Sequence, residues 1–458
     1  MNCQRRRLWC VLAWCVFAWR LTPAVSLAAQ WQAGVARVNI TPDEPMWMSG
    51  YASRDRPAEG TRHELWAKAL ALVDAGGRHA VLVTMDLVGI ERKLSQAVCR
   101  RVEEKFGLPR AAIALACSHT HTGPVVRGNL APMYNLDERQ RKLVNDYGQS
   151  LEDHLVAVVG EALDDLQPAR LAWGVGQATF AVNRRNNPER EVPQRRQQRQ
   201  LVGPVDHDVP VLAVYNSDGA LRAVVGGYAC HATVLGDYLW SGDWPGAAQL
   251  ELERRHEGVT ALYWAGCGGD QNPLPRKTPE LLAEYGRQFA DAVDEVLAST
   301  MNPIEPTLRV EYEEVPLPFA ELPSREELHT TAAGGDARLA SWAQWLLDQW
   351  EREGGLPASY PYPVQAWRLG TDLSWIILGG EAVVDYSLRL KQELGPANTW
   401  VASYANDVMA YIPSRRVLGE GGYEGADSRY IYGLPAVWDE TVEKTLIDAV
   451  HAVHARTK

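Results

Sequence analysis

"AAIALACSHTHTGP", residues 111–124, places two histidines one residue apart at the end of an apolar run, just before Gly-Pro. Ile113, Leu115, Cys117, His119 and His121 share one parity, and in an extended strand residues i and i+2 project from the same face. A strand ending here points both imidazoles the same way from its last pleats, over apolar same-face neighbours. That disposition suits two ligands on one metal ion. It equally suits a pair of polar loop histidines bonded to backbone, so further ligands must be sought elsewhere in the chain.

Upstream, "HAVLVTMDLVG" (79–89) reads as a buried strand and "LSQAVCRRVEEKFG" (94–107) as a helix ending at Gly107. Downstream, Asp137 is placed to cap a long helix with Leu143, Tyr147, Leu151, Leu155, Val158 and Ala162 on one face. "VPVLAVYNSDGALRAVVGGYACH" (209–231) is a hairpin with a Ser-Asp-Gly turn. Strands joined both by helices and by hairpins imply a mixed sheet. "PEREVPQRRQQRQLVGP" (188–204) is too polar for a core and reads as a solvated excursion. In "GDARLASWAQWLLDQWEREGG" (335–355), Asp336 caps a second helix with Leu339, Trp342, Leu346 and Trp350 at helical spacing. Those tryptophans read as packing, with a lipid-facing lid as the alternative.

The chain has 458 residues, 46% hydrophobic and 22% charged, the composition of a soluble globular protein. A net charge of −11 argues against a nucleic-acid binder. The start, "MNCQRRRLWCVLAWCVFAW", is basic and then apolar, and "TPAVSLAAQ" (22–30) offers small residues for cleavage near Ala28 or Ala29. Residues 1–29 are therefore expected to be an export signal, with an uncleaved anchor as the alternative. No later segment is long and apolar enough to span a membrane. Cys3, Cys10 and Cys15 fall in the leader, and Trp14 makes Cys15 a poor lipoprotein site. Cys99, Cys117, Cys230 and Cys267 permit disulfides, but their spacing is not that of a zinc ribbon; they read as small buried packing residues.

His231, where the hairpin strand is expected to end, is placed as His119 is and would complete a three-imidazole set of the kind that holds catalytic zinc. Asp243 in "SGDWPG" either orients a ligand or makes the turn. "LSWIILGGEAVVDYSLRLKQEL" (373–394) reads as a strand, a Gly-Gly turn and a helix starting near Glu381. A carboxylate there is stabilised by the helix dipole, and it also offers a metal an oxygen ligand.

"GVARVNITP" (34–42), "CSHTHTGP" (117–124), "NRRNNP" (183–188), "GGYACHATV" (226–234), "GCGGDQNP" (266–273), "LGGEAVV" (378–384) and "AYIPSRRVLGEGGYEGADS" (410–428) occur in this order. Together they resemble the catalytic domain of the neutral, non-lysosomal ceramidases. The resemblance implies a zinc ion held by His119, His121, His231, Glu381 and Tyr411, and substrate contacts from Arg184 and Tyr423. In the family a serine, sometimes assigned as nucleophile, follows Gly-Asp; here the run is "GDQNP" with Asn272 in its place. A carboxamide cannot form an acyl-enzyme, whereas metal-activated water needs no serine. Asn272 can still donate to substrate or to a developing oxyanion. The proton donor to the leaving amine is open between Asp270 and Asp243. The chain ends at Lys458, soon after the last motif, where the ceramidases continue into an immunoglobulin-like domain.

The expectation is an α/β fold of mixed sheets flanked by helices in a layered sandwich, with one large catalytic domain over 30–458. Its function is expected to be exported, zinc-dependent hydrolysis of the N-acyl amide of ceramide-like lipids, with a transient membrane-surface contact. The alternatives are the same metal site acting on a different amide or ester, and a metal-stabilised binding protein without turnover. His-x-His also opens many amidohydrolase barrels, but there it follows the first strand, whereas here a strand and a helix precede it.

Overall fold

The computed structural model describes residues 30–458, and the leader expected at 1–29 lies outside the described residues. Alternation within the strands decides which layer each side chain enters. In Ile113–Cys117, Ile113, Leu115 and Cys117 face one core while Ala114 and Ala116 face another. Trp66–Val73 does the same with Ala67, Ala69 and Ala71 outward and Leu70 and Leu72 inward. A one-residue slip would exchange these sets, so the register is strongly specified.

The long strands, in chain order, are β1 (Trp31–Asn39), β2 (Trp66–Val73), β3 (His79–Met85), β4 (Ile113–Cys117), β5 (Gln167–Gln177), β6 (Asp208–Asn216), β7 (Leu221–Tyr228) and β8 (Thr260–Ala265). They form one sheet in the order β8-β7-β6-β5-β1-β2-β3-β4, with the short strand Asn302–Ile304 also paired to β5. β3–β4 and β7–β8 are parallel and the other pairs antiparallel, as mixed helix and hairpin connections require. A second sheet joins β9 (Leu308–Pro318), β10 (Ser359–Leu369), β11 (Leu373–Leu378) and β12 (Thr399–Ala402), with only β11–β12 parallel.

The two sheets pack face to face. Leu70, Leu82, Leu212, Val225 and Trp264 of the first meet Trp367, Trp375, Ile377 and Trp400 of the second. Helices α1 (Arg92–Phe106) and α2 (Glu138–Asp164) cover one part of the large sheet's outer face, and α3 (Asp243–Arg255) and α4 (Pro279–Ala298) another. On the far side of the small sheet, beyond α5 (Ala337–Glu353) in the chain, α6 (Val384–Leu394) and α7 (Val442–Arg456) bury Tyr386, Leu390, Leu446 and Val450 against Ile376 and Leu378. The expected layered sandwich is the observed one.

Local signals resolve as read. Gly107 ends α1 in the left-handed region (φ 70°), Asp137 accepts from Gln140 N at 2.7 Å, and Asp336 accepts from Arg338 and Leu339. The 188–204 stretch is largely exposed but contains a short helix, Val192–Gln197, anchored by buried Val192. Trp342 in α5 is buried and its indole donates to Leu434 O at 2.8 Å, the packing role rather than the lipid-facing one. The four described cysteines are buried and free. Among the described residues, no helix is long and apolar enough to cross a membrane.

One feature of the topology builds the site. The two edge strands of the large sheet approach each other, and residues 403–406, just past β12, lie between them. Ser403 N donates to Ala265 O of β8 at 2.9 Å, Cys117 N of β4 donates to Tyr404 O at 3.0 Å, and Asn406 N donates to Leu115 O at 2.6 Å. The carboxyl ends of β4, β7, β11 and β12 are thereby drawn together. Thr120, past β4, bridges directly to Ala232, past β7.

Candidate metal centre

Each sequence-selected ligand emerges from a strand's carboxyl end, though not in the predicted local geometry. β4 stops at Cys117, and His119 has φ 62°, so the two rings do not share a pleated face. They converge instead because the chain turns sharply between them. β7 stops at Tyr228, and His231 follows three residues later in irregular backbone. Glu381 is not in a helical turn: it lies in a two-residue strand paired in parallel with Tyr411–Ile412, Glu381 opposite Tyr411, and α6 starts at Val384. The helix-dipole explanation for Glu381 therefore falls away.

Nε2 of His119 lies 3.1 Å from Nε2 of His121, and Glu381 Oε2 lies 3.1 Å from Nε2 of both His119 and His231. The Tyr411 hydroxyl is also 3.1 Å from His231 Nε2. His119 and His231 donate Nδ1–H to Val88 O and Gly268 O, at 2.6 and 2.7 Å, so their Nε2 atoms turn lone pairs inward. Glu381 Oε2 consequently faces these nitrogens while accepting no hydrogen bond, buried. A buried cluster of lone pairs with no proton between them is costly by itself. A cation at its middle removes the cost. For metal–ligand bonds of about 2.0–2.1 Å in tetrahedral array, neighbouring donors stand ~3.3 Å apart, close to the 3.1 Å of the His119–His121, His119–Glu381 and His231–Glu381 pairs. The three imidazole nitrogens all lie within 4.8 Å of one another. The donor set fits zinc in chemistry as well, with three imidazoles and a carboxylate.

Electrostatics agree. Burial, reinforced by Arg184, lowers His231 to about 4, and burial with the neighbouring imidazoles lowers His121 well below the usual range, so both are neutral ligands at pH 7.

The surrounding residues hold the set in place. Gly50 (φ 96°) lies flat against the His121 ring; a Cβ there would sit 2.5 Å from Cγ of His121. Tyr51 and Tyr404 lie against His121 and His119, with ring centroids 4.8 and 4.5 Å apart. Tyr432 donates its hydroxyl to Glu381 Oε1. The sequence reading missed Tyr432 and Tyr404, for which no local spacing gives a cue.

Arg184 ties this centre to its neighbours. Nε donates to Glu424 Oε1 (2.7 Å), Nη1 to Asn272 Oδ1 (3.1 Å), and Nη2 to both Gly269 O (2.9 Å) and Tyr411 Oη (3.1 Å). Tyr423 stands at the rim, 45% exposed, its ring 5.3 Å from that of Tyr411. Glu424, missed in the sequence although it follows Tyr423 directly, is gripped by both Arg184 and Arg185. Asp270 is buried and accepts from Asn183, Gln271 and the Val384 backbone, so it joins three chain segments. Asp243 accepts from the backbones of Val234, Leu235 and Trp244, pinning the loop after His231; burial pushes its carboxyl up to about 6.

Residues 31–288 match the family described as neutral/alkaline non-lysosomal ceramidase, N-terminal. The chain belongs to this family. The matched segment carries His119, His121, Arg184, His231, Asp270 and Asn272, while Glu381, Tyr411 and Tyr423 lie beyond it. The chain is similar to a neutral ceramidase of Oryza sativa subsp. japonica, 24% identical over 257 residues that make up 54% of this chain and 31% of that protein. The match thus spans about a third of that relative. The fold is shared with the crystal structure of the neutral ceramidase from Pseudomonas aeruginosa, with a TM-score of 0.72 at 21% identity, covering 93% of this chain and 75% of that one. A ceramidase complexed with C2 gives a TM-score of 0.71 at 18% identity over the same shares.

Proposed function

We propose that residues 30–458 form one exported, zinc-dependent hydrolase that cleaves the N-acyl amide bond of ceramide-like lipids. The observation that carries this reading is the inward convergence of three imidazole nitrogens and an unpartnered carboxylate oxygen in a ceramidase-family chain. His119, His121, His231, Glu381 and Tyr411 would hold the ion. A zinc ion held there would lower the pKa of a bound water to about 7 and polarise the scissile carbonyl.

The chain's own groups do the remaining work. Val88 O and Gly268 O keep His119 and His231 in the tautomer that presents Nε2. Tyr432 steadies Glu381, and Arg184 steadies the Tyr411 hydroxyl. Arg184, Tyr423 and Asn272 position substrate, with the Asn272 amide as the neutral donor in place of the family's serine. Asp270 and Asp243, both committed to other partners, act by holding the loops that carry these groups.

The test is hydrolysis of fluorescent N-acylsphingosine by the zinc-supplemented chain, alongside short N-acyl amides and esters. Release of fatty acid from N-acylsphingosine that is lost in Glu381→Gln is expected. Turnover of esters but of no amide would replace the amidase reading, and absence of all turnover by metal-loaded protein would overturn it.

A further inference from the structure

Beside the centre lies a cleft whose walls include Arg184, Arg185 and Arg276, two glutamates, Glu189 and Glu424, and at its rim Asn272 and Tyr423. Its only aliphatic lining residue is Leu274, itself buried. This is not a wall that takes an alkyl chain.

Most of its carboxylate oxygens are already engaged by arginine. Both Glu424 oxygens are taken by Arg184 and Arg185, at 2.7 and 2.5 Å. Glu189 Oε2 takes Nε and Nη2 of Arg276, at 3.1 and 2.8 Å, and Oε1 lies 3.7 Å from Lys277 Nζ. Its donors are not. Arg276 Nη1 has no partner among the described residues, and four of the five Arg184 N–H groups are engaged, leaving one on Nη1. Asn272 turns Oδ1 to Arg184, which leaves its Nδ2 group uncommitted. Arg185 is paired with Glu420 as well as Glu424, so the open donors are those of Arg184, Arg276 and Asn272. Free donors on Arg276, Arg184 and Asn272 select a group that accepts, and an oxyanion accepts most strongly.

The cleft also shares a wall with the centre. Arg184 donates to the Tyr411 hydroxyl, which is 3.1 Å from His231 Nε2, so an amide carbonyl at the centre and a group in the cleft fall within one small molecule. We propose that this enzyme prefers amides bearing a carboxylate or sulfonate within a few bonds of the scissile carbonyl, seated on Arg276, Asn272 and the free Nη1–H of Arg184. The inference rests on the amidase reading above but not on ceramide as the preferred substrate, since ceramide carries no such anion.

The experiment compares kcat/KM of the zinc-loaded chain on amides with one acyl length: N-acylglycine, N-acyltaurine and neutral N-acylethanolamine, with an N-succinyl amide placing the carboxylate on the acyl side. At least one anionic amide is expected to exceed the neutral one about tenfold or more, and Arg276→Gln to cut that ratio about tenfold, the scale of one charged hydrogen bond. The ratio is insensitive to a fraction of misfolded variant. Hydrolysis of the neutral amide alone or equally well, or a ratio unchanged in Arg276→Gln, would overturn the inference and leave the amidase reading standing. Failure on all of these amides and on N-acylsphingosine would overturn both.

Discussion

Asp407→Asn isolates a single titration in the segment that closes the large sheet and leads on to Tyr411. Asp407 is buried and accepts from the Tyr360 hydroxyl at 2.6 Å and from the Arg92 backbone. Burial pushes its carboxyl up to about 7, against roughly 3.9 in an unfolded chain. The fold therefore holds the proton more tightly, and the associated stability is fully present below pH ~4 and lost as pH rises through about 7. Between pH ~5 and ~8 the loss is about 2.5 kcal/mol, from ~1.4 kcal/mol per pKa unit. Asparagine keeps an acceptor for Tyr360 but turns an amide toward Arg92 N–H, at a cost of about 1–2 kcal/mol that does not vary with pH. The comparison of wild type and variant at two pH values cancels that cost. With an unfolding entropy of ~0.9 kcal/mol/K for a chain this long, Tm of the variant relative to wild type should rise by roughly 3 °C on going from pH ~5 to ~8. Differential scanning calorimetry reads it. A relative Tm that is flat, or that falls at the higher pH, would refute the buried-carboxylate account.

Tyr432→Phe removes the donor to Glu381 Oε1 and should weaken metal affinity about 10–100-fold, read by competition with a chelating dye. Gly50→Ala demands φ 96° of alanine and drives Cβ into the His121 ring, so it should cost stability by about 1–3 kcal/mol in denaturant titration and loosen metal binding as well. Glu424→Gln leaves the Arg184–Arg185 pair short of a negative charge; kcat/KM should fall at least about tenfold with metal content unchanged, measured on one preparation.

Much of the framework was legible because its signals are local. Gly107, Asp137 and Asp336 mark helix ends through their own backbone or side-chain chemistry, and strand parity puts Ile113, Leu115 and Cys117 on one face of the large sheet. His119, His121 and His231 were legible as strand-end residues even though β4 and β7 stop short of them. Tyr411 came only through family resemblance, because its role depends on the Glu381–Tyr411 pairing, a contact thirty residues apart in sequence. Tyr404 reaches the centre through the crossing of residues 403–406 between the sheet's two edges, and Tyr432 from the short helix Arg429–Tyr432; no spacing within the chain encodes either. The fate of Asp270 and Asp243 follows the same logic: sequence shows a carboxylate near a motif, and only the packed loops show which backbone amides it serves.

Metal stoichiometry tests the account most directly. The full chain, produced with zinc plentiful and freed of loosely bound ions, should carry one zinc per molecule by mass spectrometry of the elements, and His119→Ala should carry almost none while keeping the wild-type circular dichroism spectrum. Wild-type protein that binds no divalent ion, or a His119→Ala variant that retains a full complement, would contradict it.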